Sequence, residues 1–155
     1  MEKTCCFAGH RKIYDNEMKQ KISEVIEFIY TEEKVKNFLV GNYGDFDRIS
    51  ARVVSEFKKA HNDIKLEMVI PYLTKDINSN LEYYKMFDNI FIPDIPINTP
   101  FKAKIIKTNE YMINNSELLI SYINYTWGGA YATYEYAKKK SLNIINLGQY
   151  KRSVF

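Results

Sequence analysis

Lys3-Thr4-Cys5-Cys6-Phe7-Ala8-Gly9-His10-Arg11 reads as a short extended run, Lys3–Ala8, closed by a glycine turn. Behind it Met18, Ile22, Val25, Ile26 and Ile29 recur at spacings of three and four, the apolar stripe of a helix. The pattern then returns. Asn37–Val40 is a second apolar run closed by Gly41, and Phe46, Ile49, Val53, Val54 and Phe57 trace a second helical stripe. Further along, Ile64–Ile70 predicts a strand ended by Pro71, Asn78–Phe87 a short helix and Asn89–Ile92 a fourth strand. Ile92–Pro100 carries three prolines and predicts a loop. Phe101, Ile105, Thr108 and Met112 share a helical face, Glu117–Ile123 predicts a strand, Gly129–Lys140 a helix and Leu142–Leu147 a closing strand.

Strands alternating with helices imply crossover connections, and nearly continuous apolar strands imply a sheet covered on both faces. The expected fold is α/β, a doubly wound, mostly parallel sheet with helices on both faces. With 155 residues, 46% hydrophobic and 26% charged, the chain has the make-up of one globular domain over residues 1–155. A core of that size stands without disulfide or metal staples. Cys5 and Cys6 are adjacent, so on a strand they point to opposite faces and read as reduced thiols. The first residues lack the apolar run of a secretory leader and no stretch reaches the length of a membrane span, so a cytoplasmic protein without a membrane partner is expected. Asn, Ile, Lys and Tyr richness fits an AT-rich bacterial or phage genome. A formal charge of +3 is too weak to demand nucleic acid but tolerates anionic ligands.

Gly9, Gly41, Gly44, Gly128 and Gly129 all fall in connections running from a strand into a helix, and Gly148 lies elsewhere. In a parallel sheet those connections gather at one edge, where open α/β folds bind ligands and helix N-termini favour phosphate or carboxylate. Glycine there either lets backbone amides approach a ligand or simply makes tight turns. Arginine is scarce, four against 18 lysines, yet Arg11 follows the first glycine turn and Arg48 and Arg52 begin the second helix. A guanidinium holds phosphate or carboxylate through paired hydrogen bonds, which suits Arg11 and Arg48, whereas Arg52 reads as a solvated face or a partner of Glu56. His10 is a phosphate donor, a base or a turn cap.

Asp45 is placed to cap the second helix, and Asp47 either holds a ribose hydroxyl or balances Arg48. Trp127-Gly128-Gly129-Ala130-Tyr131-Ala132-Thr133 opens a helix in a shape suited to cradling phosphate with backbone amides. Tyr125 and Trp127 either stack on a base or pack in the core. Catalytic groups are thin. His10 and His61 stand far apart, no Cys, His or carboxylate pattern has metal-ligand spacing, and neither a nucleophile elbow nor a Walker loop occurs. Glu110 and Glu135 lie within helices, where a solvated carboxylate is the common case, and Lys138–Lys140 complements a helix C-terminus.

Cys6-Phe7-Ala8-Gly9-His10-Arg11, Gly41-Asn42-Tyr43-Gly44-Asp45-Phe46-Asp47, Asn109-Glu110-Tyr111-Met112 and Gly128-Gly129 with Thr133 together resemble the YpsA-like branch of the SLOG superfamily. These are Rossmann-like domains related to the Lonely Guy enzymes and to DprA. The resemblance implies a nucleotide-type ligand, with NAD-derived and ADP-ribose-like molecules prominent, and a pocket lined by Gly9, His10, Arg11, Gly41, Gly44, Asp47, Gly128, Gly129 and Thr133. Asn109 and Met112 would support it. Two positions depart from the branch: Lys12 stands where proline is frequent, and Ala130 where threonine is. Against the Lonely Guy signature, Trp127 replaces a proline, the later glycine is missing, and Thr133 with Glu135 sits in altered register.

The expected function is therefore binding of a nucleotide or ADP-ribose-type molecule, cyclic ADP-ribose included, as a sensor or a phage sponge for a defence signal. No cofactor is required in that reading. Arg48 and Trp127 join the implied pocket residues as ligand contacts. Two rivals stand beside it: an N-glycosidic hydrolase using Glu135 or Asp47, and a DprA-like nucleic-acid binder, disfavoured by the lack of a basic stripe. Self-association into a homo-oligomer through tyrosine-rich surface is also expected.

Overall fold

Lys3–Gly9 extends as β1 with Cys5 and Phe7 turned to one face and Cys6 and Ala8 to the other, all four buried. The computed structural model describes residues 2–151. From β1 the chain runs through α1 (Met18–Glu33), β2 (Val35–Val40), α2 (Asp45–Ala60), β3 (Lys65–Val69), α3 (Leu81–Tyr84), β4 (Asn89–Phe91), α4 (Phe101–Asn114), β5 (Leu118–Tyr122), α5 (Gly129–Lys139) and β6 (Asn143–Asn146). Among the described residues the strands form one six-stranded sheet in the order β4-β3-β2-β1-β5-β6, and every pairing is parallel. The doubly wound α/β sheet expected from the periodicity is present, fully rather than mostly parallel.

The two faces carry separate cores. On one, Phe7, Phe38 and Phe46 meet Ile22, Ile26 and Ile29 of α1 and Val53 and Val54 of α2; the Phe7 ring lies 6.1 Å from Phe38 and 6.3 Å from Phe46. On the other, Cys6, Ala8 and Leu119 pack under Met112 and Ile113 of α4 and Tyr134 and Ala137 of α5. Cys5 and Cys6 thus belong to different cores as free thiols, and burial pushes both pKa values up. Among the described residues no helix is long and apolar enough to cross a membrane.

The expected helix over Asn78–Phe87 is mostly absent. A single 3-10 turn at Lys75–Ile77 and the four-residue α3 replace it. The Ser79 hydroxyl and the Asn80 side-chain amide donate to the Asp76 carbonyl at 3.1 and 3.4 Å, and the Asp76 carboxylate takes the Tyr84 hydroxyl at 2.7 Å, so side chains compete with the helical ladder there.

The topology selects one place on this sheet. The connection after β1 leads to β2 on one side, whereas the connection after β5 leads to β6 on the other. The two loops diverge between neighbouring strands, paired from Cys5 with Leu118 to Gly9 with Tyr122, and leave a crevice at the strands' carboxyl ends.

Candidate functional site

A cleft of about 280 Å³ occupies that crevice. Gly9, His10, Arg11, Asp47, Trp127, Gly128, Gly129 and Thr133 line it, eight of the residues singled out from the sequence, drawn from the ends of β1 and β5 and the starts of α2 and α5. Ile105, Asn109 and Met112 of α4 form the wall behind it. Gly41, Gly44, Arg48 and Glu135 do not line it.

The loops are held by a histidine that donates nothing to a ligand through Nε2. That nitrogen accepts the Asn124 amide at 2.8 Å, and the Asn124 side chain is in turn tied to the Tyr122 hydroxyl at 2.8 Å and the Gln149 amide at 2.7 Å. An accepting Nε2 requires the proton on Nδ1, and burial lowers the His10 pKa, so the ring is neutral near pH 7. On it lies Tyr125, ring centroids 3.8 Å apart and planes nearly parallel, and on Tyr125 lies Trp127 at 4.1 Å. The three rings form a ladder rising from a buried base, His10 being 6% exposed and Trp127 65% exposed. The offset-stacked contacts keep Trp127 at the cleft although most of its surface meets solvent. His10 and Tyr125 are 115 positions apart, and no periodicity in the sequence could have paired them.

The glycines divide into two groups. A Cβ at Gly9 would lie 2.4 Å from the buried Phe46 ring, and one at Gly44 would lie 2.7 Å from the Arg11 backbone. Those two positions let the start of α2 close onto the turn after β1, where the Asp45 amide donates to the Arg11 carbonyl at 2.8 Å. A Cβ at Gly41 would come within 3.2 Å of the Asp47 carboxylate, so Gly41 sits beneath that side chain rather than facing the cleft. On the side where a side chain would stand, protein fills the space at all three, so these glycines make the close turns of the scaffold, and of the three Gly9 also lines the cleft. Gly128, with φ of +92°, and Gly129 have nothing near a would-be Cβ, and there the open turn stands at the N-terminus of α5. The Thr133 hydroxyl turns back to the Gly129 carbonyl at 3.0 Å.

The charged residues also separate. Asp45 does not cap its own helix; its carboxylate takes the Ile13 amide at 3.1 Å and Arg48 at 3.3 Å, because α2 starts at Asp45 itself and its side chain reaches the loop between β1 and α1. Arg48 is consequently exposed beside Asp45 and outside the cleft. Arg52 lies over the Tyr83 ring at 5.2 Å, and Glu56 pairs with Lys59, so the expected Arg52–Glu56 pair does not form. Arg11 is the cation at the cleft, exposed and without an ion pair among the described residues. Asp47, 6% exposed, accepts the Tyr43 amide at 2.9 Å; burial, only partly offset by that bond and by Arg48, pushes its pKa up to about 6. Glu135 pairs with Lys138 at 3.2 Å and hydrogen-bonds to Tyr131, which places it away from the cleft residues. Tyr43, a wall of the cleft between Gly41 and Asp47, was quoted in the motif but not singled out, since nothing in a lone tyrosine marks its direction.

An all-parallel doubly wound sheet with its cleft at the switch point defines the class of fold. No protein-family model matches the chain. The uncharacterized SPbeta prophage-derived protein YoqJ of Bacillus subtilis (strain 168) is 28% identical to it over 141 residues, 81% of this chain and 82% of that protein. Among solved structures, DNA processing protein A (DprA) from Streptococcus pneumoniae superposes with a TM-score of 0.69 at 16% identity over 93% of this chain, and the Helicobacter pylori DprA, whose structure is titled for single-stranded DNA binding, with 0.67 at 15% over 96%. The Moco carrier protein of Chlamydomonas rheinhardtii gives 0.56 at 12% over 96% of this chain and 78% of its own. This chain spans 50% of the pneumococcal DprA chain and 66% of the Helicobacter one. At such identities the likeness is one of fold alone, an α/β Rossmann-like fold shared with the DprA structures.

Proposed function

We propose that this chain is a single SLOG-like domain of the YpsA-like branch that binds a nucleotide or an ADP-ribose- or NAD-derived molecule in the cleft between the ends of β1 and β5. The observation that carries the reading is the conjunction at one cleft of an Arg11 without an ion pair among the described residues, the open Gly128–Gly129 turn at a helix N-terminus, and an aromatic ladder ending in exposed Trp127. The first two suit a phosphate and the third suits a heterocyclic base. The role is capture rather than turnover, as a sensor or as a sponge for a defence signal. The prophage origin of the Bacillus relative supports the second. A cytoplasmic setting and a homo-oligomer belong to the same proposal.

Calorimetry with ADP-ribose, cyclic ADP-ribose isomers, NAD and AMP tests it, and binding of none of them overturns it. A charge-assisted hydrogen bond is worth about 1.5–3 kcal/mol, so Arg11→Ala is expected to weaken a bound ligand roughly 10- to 100-fold, whereas Arg48→Ala, outside the cleft, changes little. Trp127 is the chain's one tryptophan, so its fluorescence reports directly on the ladder. AMP is expected to quench it and ribose 5-phosphate to leave it unchanged.

One observation favours a second reading. Asp47 is a carboxyl at the cleft with its pKa raised to about 6, a value suited to an acid or to an anion facing an oxocarbenium ion in N-glycosidic hydrolysis. Mass spectrometry of the same mixtures separates the two: ligands intact after long incubation leave binding alone. The DprA-like reading would require steeply salt-dependent capture of single strands.

A further inference from the structure

A second cleft, of about 210 Å³, opens next to the first at the carboxyl ends of β2 and β3, and the two share Arg11 and Tyr43 as common walls. Asn42, Pro71, Tyr72 and Thr74 complete the second one. Small-molecule sites run from about 300 Å³ upward, so each cleft alone falls short of that bound and the pair together exceeds it. The dividing wall is unusual in chemistry as well as in place. The Tyr43 hydroxyl is buried without a hydrogen-bond partner among the described residues, and its phenol is near enough to the Asp47 carboxylate of the first cleft to feel its charge. A buried hydroxyl left unpaired is costly and calls for a partner. Arg11 beside it has no ion pair among the described residues.

Resting on the nucleotide reading of the first cleft, we infer that the ligand is two-headed: one ring system fills the cleft between β1 and β5, a second sugar or heterocycle fills the cleft at β2 and β3, and a phosphate linkage crosses the wall at Arg11 and Tyr43. The first head meets the aromatic ladder and the Gly128–Gly129 turn. The second meets an uncharged setting of Pro71, Tyr72 and the Asn42 side chain, whose amide donates to the Tyr84 hydroxyl at 3.0 Å. That surface suits a ring with hydroxyls better than a second phosphate, because its only cation is the shared Arg11. A mononucleotide would satisfy one cleft and leave the other to water.

The test compares AMP with ADP-ribose on three proteins. Thr74 is exposed at the second cleft, so Thr74→Trp plugs it without disturbing a core, and Thr74→Val keeps the cleft open while removing the hydroxyl that contacts Asp76. The wild type is expected to bind ADP-ribose at least tenfold more tightly than AMP. Thr74→Trp is expected to lose that advantage with AMP unchanged within about twofold, and Thr74→Val to retain it. Equal affinities for the two ligands in the wild type, parallel loss of both in Thr74→Trp, or the same loss in Thr74→Val would overturn the two-headed inference while leaving nucleotide binding in place. Failure of the wild type to bind either ligand removes the functional reading itself, and the inference with it.

Discussion

Alanine at Gly9 is expected to destabilise the protein by about 1–3 kcal/mol, the usual cost of adding a methyl to a packed interior, whereas alanine at Gly129 leaves stability unchanged or slightly raised. Both glycines line the same cleft, yet their surroundings differ. The added carbon at Gly9 would stand 2.4 Å from the Phe46 ring, which is fully buried, packed against Phe7 and stacked with Tyr122, and so has no room to retreat. At Gly129 nothing lies within contact distance and the residue begins α5, where alanine is the better helix former by roughly 0.5–1 kcal/mol. Thermal unfolding reads the contrast directly, at about 2–4 °C per kcal/mol for a chain of this length. Equal losses at the two positions would mean that Phe46 does not sit under the β1 turn as described. Ligand binding runs the other way, because the side chain added at Gly129 intrudes on the open turn while the one at Gly9 strains the scaffold first.

Asp47→Asn is expected to stabilise the protein above pH 6 and to have no such effect below about pH 4. Burial raises the carboxyl from its ordinary 3.8 to about 6 in the folded state. Below the unfolded value both states are protonated and the group is neutral in its effect. As pH rises through the interval from about 4 to 6, the unfolded chain releases the proton first, so the fold progressively loses stability. At 1.36 kcal/mol per pKa unit the loss amounts to roughly 3 kcal/mol by pH 7. Asparagine keeps an oxygen to accept the Tyr43 amide and carries no charge to desolvate. His10 acts in the opposite sense: its lowered pKa means that stability falls as pH drops below its ordinary 6.5, where protonation would displace the Asn124 amide from Nε2. Because the two groups oppose each other, the informative quantity is the difference between the variant and wild-type denaturation curves as a function of pH. A difference that is flat from pH 4 to pH 8 would sink the account of Asp47. The same substitution separates the functional readings, since a residual hydrolase activity that depended on the carboxyl would vanish in a protein that had become more stable.

The period of three to four in Met18, Ile22, Ile26 and Ile29 is local, and α1 buries those four side chains. The gathering of glycines at strand-to-helix connections pointed to the edge where the cleft lies, and the Gly128–Gly129 turn stands open there at the start of α5. Asp45 and Arg52 escaped sequence reasoning for a common reason. The capping expected of Asp45 and the Glu56 pairing considered for Arg52 lie along one helix, and each residue instead meets a group from another segment, the Ile13 amide for Asp45 and the Tyr83 ring for Arg52, which stays solvent-exposed. The helix before β4 is shorter than the spacing suggests because the Ser79, Asn80 and Tyr84 side chains bond to Asp76 and compete with the helical ladder.

What the sequence determined by itself is therefore the alternation of strands and helices and the edge at which the glycine-bearing strand-to-helix loops collect, since both follow from spacings of a few residues and from the geometry of parallel crossovers. The order β4-β3-β2-β1-β5-β6, the stacking of His10 on Tyr125, the burial of Asp47 and the wall shared by two clefts were decided only in the tertiary structure. Each depends on which distant segments come into contact, and the free energy of such contacts belongs to the assembled core, where residues a hundred positions apart exclude water from one another.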